Sequence, residues 1–136
     1  MKTTIYNFRT LLAATIAITA IAVSAQGANL SDKDKQFLAG YEKVHTALAA
    51  DDLSTAKSAA KDLGEEGNGI ATAGSLKDAR ARFEKLSTRA KTLSAGRSGY
   101  QVFHCPMLNK DWVQTSTTVA NPYGGKEMAS CGEIQK

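Results

Sequence analysis

Between Asp32 and Leu93 the apolar residues recur at intervals of three and four, and each run starts behind a short polar side chain that can cap a helix. Ser31 followed by Asp34 is a shortened capping box, and Phe37, Leu38, Tyr41, Val44 and Leu48 follow it at helical spacing. This predicts a first helix from about Asp32 to Ala50. Asp51 or Asp52 can cap a second, in which Leu53, Ala56, Ala60 and Leu63 repeat until Gly64. The turn between the two is short, so the pair should run antiparallel. Ser75 and Asp78 open a third helix, with Leu76, Ala79, Phe83, Leu86, Ala90 and Leu93 on one face and Gly96 and Gly99 beyond its end. Its other face carries Lys77, Arg80, Arg82, Lys85, Arg89 and Lys91, which read as a solvated surface.

Between the second and third helices, Gly64-Glu65-Glu66-Gly67-Asn68-Gly69 and Gly74 break the periodicity and predict a flexible loop. A phosphate-cradling loop would need a following Lys-Ser/Thr pair, and two glutamates would repel the ligand. After Gly99 the pattern changes. Tyr100 to Cys105 and Trp112 to Thr115 have strand composition, separated by Pro106 and the turn-forming Asn109-Lys110-Asp111, which predicts a hairpin or two extended pieces. Asn121-Pro122-Tyr123-Gly124 suits a type I turn, and Lys126 to Cys131 suit a single helical turn. The expected fold is therefore mainly α: three antiparallel helices packed with a short C-terminal extended or hairpin segment. Residues 26–99 form the scaffold and 100–136 the motif-bearing part of one domain.

The first 25 residues read as an address. Lys2 and Arg9 precede the apolar run from Leu11 to Val23, and Val23-Ser24-Ala25 offers a small-residue cleavage site before Gln26. A secretory signal peptide followed by a mature chain in the periplasm or outside the cell is expected, with no membrane attachment after cleavage. The chain has 136 residues and a formal charge of +4, enough for one modest domain. Without Lys2 and Arg9 the surplus falls to +2, and the remaining charges alternate in sign, which argues against a nucleic-acid stripe.

Sulfur is confined to one region. Apart from the initiator, Cys105, Met107, Met128 and Cys131 hold all of it, and Tyr100, Phe103, Trp112 and Tyr123 crowd the same stretch. Cys105 and Met107 flank Pro106, whose ring favours an extended Cys105, so both side chains can project to one side. Met128 and Cys131 are three apart, as neighbours on a helical face are. Two thiolates and two thioethers form a soft donor set suited to Cu(I) or Ag(I), with His104 the nearest nitrogen. In a strand, however, His104 points away from Cys105. The same two cysteines can instead form a disulfide, the usual pairing in a small exported domain, with the methionines filling gaps in the core. The residues leave thiols and disulfide open. His45 sits at the edge of the first helix's apolar stripe and Trp112 reads as a core anchor. No enzyme is expected: neither C-x-x-C nor C-x-x-C-H is present, and the acid pairs Asp51-Asp52 and Glu65-Glu66 fall at a cap and in a loop.

Tyr100 to Met107, the following Trp112, and Asn121-Pro122-Tyr123-Gly124-Gly125-Lys126-Glu127-Met128-Ala129-Ser130-Cys131-Gly132 resemble an uncharacterised bacterial family of exported domains. Its signatures are CPM, a later Trp, and NPY-x-G-x-x-M-x-x-CG. Members stand alone or are fused to periplasmic adaptors of heavy-metal efflux systems. The resemblance spans Tyr100 to Gly132 and implies a motif built from Cys105, Pro106, Met107, Trp112, Asn121, Pro122, Tyr123, Met128, Cys131 and Gly132. It implies a context of metal handling in the envelope, with a metal ion and an efflux adaptor as partners. The CPM element is also similar to that of small heavy-metal-binding domains, although their His-Pro after the Met and their second C-x-x-C are missing here. On these grounds the expected function is Cu(I) or Ag(I) buffering or delivery. The alternative is a disulfide-stapled helical module that binds an envelope partner without metal.

Overall fold

The computed structural model describes residues 29–136; the expected signal peptide and its cleavage site lie outside them. Helix α1 (Asp32–Ala49) starts at Ser31, whose Oγ accepts the Asp34 N–H at 3.1 Å. Helix α2 (Leu53–Lys61) starts at Asp52, whose carboxylate accepts the Thr55 N–H at 2.9 Å. Asp51, at φ 60°, makes the reversal between them. Helix α4 (Leu76–Ser94) is capped by Ser75 in the same way as α1. All three caps satisfy a backbone donor that a helix start leaves unpaired, which is why these sequence signals locate helix starts so closely.

The glycine-rich segment is more ordered than its composition predicts. It forms a 3-10 turn (Gly64–Glu66) and a one-turn helix α3 (Asn68–Ala71) that buries Ile70 completely. Gly67 makes this possible, because a Cβ there would collide with the Ala60 carbonyl as α3 folds back on α2. The glycines here provide close approach rather than mobility. The basic face of α4 is likewise less solvated than expected. Arg89 pairs with Glu66 and with Asp34 and lies 4.2 Å over the Phe37 ring, and Arg80 reaches across to the α1–α2 turn.

Strands β1 (Gln101–Cys105) and β2 (Lys110–Gln114) form an antiparallel hairpin, with Phe103 opposite Trp112 and Cys105 opposite Lys110. Asn109, at φ 50°, occupies the turn. A third strand, β3 (Glu133–Ile134), pairs with the other side of β1, giving the order β2-β1-β3. The described chain thus has four helices, one more than expected, and a small antiparallel sheet in place of a bare hairpin. Between β2 and β3 the expected helical turn is a 3-10 turn (Gly125–Met128) that ends before Cys131. Met128 and Cys131 therefore do not share a helical face, although the Cys131 N–H donates to the Met128 carbonyl at 2.9 Å.

Helices and sheet share one core. A relay of rings runs from Tyr41 on α1 to Phe83 on α4 (5.1 Å), to Tyr123 (5.6 Å), to Trp112 on β2 (6.4 Å) and to Phe103 on β1 (5.6 Å). The outer edge of β2 is closed by hydroxyls: Tyr41 accepts the Val113 N–H at 3.0 Å, and Ser87 donates to the Asp111 carbonyl at 2.9 Å. These bonds supply the partners that an additional strand would otherwise provide. No helix among the described residues is long and apolar enough to cross a membrane.

Candidate functional site

Cys105 ends β1 at an inward position, two residues after the buried Phe103, and the alternation of the strand turns His104 the other way. Cys131 lies just before β3. The two form a disulfide with a Cα–Cα distance of 5.2 Å and a sequence separation of 26, so among the described residues no cysteine is free. The bond ties the central strand to the C-terminal segment. Its two ends differ sharply: Cys105 has no exposed surface, whereas Cys131 is partly exposed.

The residues between the cysteines hold Cys131 in place through directional contacts. Asn121 is buried; its Oδ1 accepts the N–H groups of Tyr123 and Gly124 at 3.0 and 2.9 Å, and its Nδ2 donates to the Cys131 carbonyl at 3.0 Å. Pro122 offers its carbonyl to Arg80 Nε at 2.9 Å, and the same guanidinium reaches the Leu48 carbonyl at 2.8 Å and Asp51 at 2.5 Å. Asp51 closes the circuit by accepting the Lys126 N–H. The Arg80 guanidinium, followed by that backbone bond, holds the Asp51 carboxyl below the usual carboxylate range. Gly132 lets the chain pass beneath Trp112, since a Cβ at this position would press into the indole ring. Pro106, Trp112, Asn121, Pro122, Tyr123 and Gly132 thus build and brace the region around the disulfide.

Met107, Met128 and Cys131 line one open cleft of about 370 Å³ with Pro106, Glu127 and Glu133. Met107 is 78% exposed, which excludes it as a core gap-filler. His104 lies elsewhere. Its Nδ1 is 2.7 Å from Asp111 Oδ1, Lys91 pairs with the other carboxylate oxygen, and these groups line a separate polar pocket with Glu84 and Tyr123. Lys91 is also the main reason the Asp111 carboxyl is held below its ordinary value. The sulfur set therefore comes together without the expected histidine. Glu127 and Glu133, beside Met128 and Gly132, are the cleft residues that sequence reasoning missed; their adjacency to the motif was the available signal. Among the described residues, no group of three or more His, Cys, Asp or Glu side chains is placed to hold a metal ion.

Two buried polar groups stand apart from the cleft. His45 donates from Nε2 to the Ala120 carbonyl at 2.9 Å, while its Nδ1 has no hydrogen-bond partner. Burial pushes its pKa below the usual 6.5, so the ring is neutral in the fold. The Tyr123 hydroxyl also lacks a partner, and burial raises its pKa to about 12. A larger groove of about 660 Å³ runs along α1 beside Leu38, Ala39, Ala47, Ala50 and Tyr100.

No family model matches the chain, and it matches neither a curated protein nor a solved structure.

Proposed function

We propose that this is an exported soft-cation binder, for Cu(I) or Ag(I), serving as a buffer or chaperone beside an efflux adaptor, and that its full donor set is the reduced form of the sulfur cleft. One observation carries the reading. Met107 and Met128 line the same open cleft as Cys131, which is covalently joined to Cys105. Thioethers and thiolates are the ligands that discriminate in favour of soft monovalent ions over Mg, Ca or Mn. In the oxidised chain the thioethers remain, and reduction adds two thiolates. The histidine is omitted from the ligand set because Asp111 holds it in another pocket.

The test is competition against a chromophoric Cu(I) chelator without oxygen, before and after reduction. Reduced protein should withdraw Cu(I) at micromolar chelator. Met128→Leu should weaken that competition while moving the unfolding of the metal-free protein by less than about 1.5 kcal/mol, because the substitution nearly conserves volume. Failure of reduced wild type to compete, or unchanged affinity in a Met107→Leu/Met128→Leu double variant, overturns the reading. A second reading is supported by the complete burial of Cys105 and by the groove along α1. In it the disulfide is a permanent staple and the protein is an interaction module for an envelope partner. That reading predicts no metal phenotype for either methionine.

A further inference from the structure

The two halves of the disulfide present very different faces to solvent. Cys105 is wholly buried at the inward end of β1, packed within the core that also holds Phe103 and Trp112. Cys131 lines the open cleft, flanked by Met128 and Glu133. Thiol–disulfide exchange requires a thiolate to reach one particular sulfur, and access decides which one is attacked. We propose that this disulfide is opened from one side only, through Sγ of Cys131, and that its reductant is a dithiol whose nucleophilic cysteine docks in the Met107–Met128 cleft. The proposal deepens the metal reading by naming how its site would be armed, and it rests on that reading for its purpose though not for its chemistry.

The reductant's first thiolate bonds to Cys131 Sγ, the Cys105–Cys131 bond breaks, and Cys105 departs with the electron pair and takes a proton. A mixed disulfide now joins the reductant to Cys131. The reductant's second thiolate attacks its own sulfur in that mixed disulfide and releases Cys131 as a thiolate. The reductant is oxidised by two electrons to its disulfide, and the protein is reduced to a dithiol.

The same burial explains why a dithiol is needed. The sulfur of Cys105 has to leave into the buried core rather than into water, so it departs slowly. After it leaves, the core still holds it beside Cys131, where it can expel the newcomer and restore the original bond. A monothiol has no competing step, whereas a dithiol resolves the mixed disulfide within one encounter.

The experiment uses oxidised wild-type protein without metal. It is exposed briefly to glutathione, quenched with an alkylating reagent and mapped by peptide mass spectrometry. Glutathione should be found on Cys131 and the alkyl group on Cys105; glutathione on Cys105 in equal or greater yield overturns the proposal. In parallel, Cys105→Ala and Cys131→Ala are titrated with a chromogenic aromatic disulfide. The lone Cys131 should react at least about tenfold faster than the lone Cys105, as exposure predicts. Equal rates under native conditions, with the fold confirmed by circular dichroism, also overturn it. Reduction of wild type by a dithiol should outpace reduction by a monothiol at equal thiolate concentration by more than it does for an unstructured disulfide peptide; an equal ratio removes the dithiol requirement. Since no metal is present, one-sided opening can hold while Cu(I) competition fails, and the converse, so the two failures are distinguishable.

Discussion

The helical part from Asp32 to Ser94 and the segment from Gln101 to the C-terminus meet in one core but are held by different physics. The helices bury a periodic set of side chains, Phe37, Leu38, Tyr41, Val44 and Leu48 on α1 and Ala79, Phe83, Leu86 and Ala90 on α4. Such burial is non-directional, so many apolar residues of similar size could serve at each position. In the C-terminal segment, the region after β2 has little regular structure. Its geometry rests on individual bonds from Asn121, Arg80, Gln114 and the disulfide. Here identity matters more than hydrophobicity, and the loss of one donor leaves a buried backbone group without a partner.

The largest test of this contrast sits where the two regions meet. Phe83→Ala removes a ring that contacts both Tyr41 and Tyr123; it should cost about 3 to 5 kcal/mol in urea unfolding and weaken both regions together. If hydrogen exchange showed the sheet untouched, the shared core would be an illusion. Next comes Cys131→Ser, for which a loss of about 2 to 5 kcal/mol is expected from freeing the loop of the unfolded chain and loosening the native segment. Exchange protection should fall most from Val119 to Ile134, with α1 and α4 retaining theirs relative to the global transition.

Asn121→Ala should cost about 1 to 3 kcal/mol, the penalty for leaving buried backbone groups unpaired, and should increase the exposure of Cys131 to thiol reagents. A neutral result would show that water replaces the amide and that the segment is not held as described. Ser75→Ala, by contrast, removes only the cap of α4, at about 1 kcal/mol, and should leave the reactivity of Cys131 as it was.

The smallest effect is a pH dependence. His45 has a lowered folded pKa because burial disfavours the imidazolium, so the unfolded chain takes up a proton that the fold refuses as pH drops below 6.5. Stability should therefore decline from pH 7 to pH 6, and His45→Gln should flatten that slope. The aspartates Asp34, Asp51, Asp52, Asp78 and Asp111 also have lowered folded values, with charged forms that the fold stabilises. Their contribution is present above about pH 3.8 and is lost as pH falls through the folded values, well below the histidine window.

What could be read in advance follows the same division. Ser31, Asp52 and Ser75 marked the helix starts because capping is local, and the apolar stripes marked the buried faces because a helix has a fixed period. The pairing of Cys105 with Cys131 was one of two readings the residues allowed. Ile70 escaped because one apolar residue among glycines has no period to detect. Strand β3 escaped because two residues show no alternation. The roles of Arg80 and Ser87 depend on partners between 24 and 46 positions away, and nothing in their immediate neighbourhood reveals them. Strand alternation turns His104 away from Cys105, which removes it from the expected ligand set, and its partner Asp111 comes from the register of the hairpin.

The close passage of Gly132 beneath Trp112 has an optical consequence. The chain contains a single tryptophan, and the residue after Cys131 lies against its indole ring. A nearby disulfide accepts an electron from an excited indole and darkens its emission, whereas two thiols do so far less. The protein therefore carries its own fluorescent reporter: the brightness of Trp112 should rise as the bond opens, allowing reduction and reoxidation to be followed in real time without an added label.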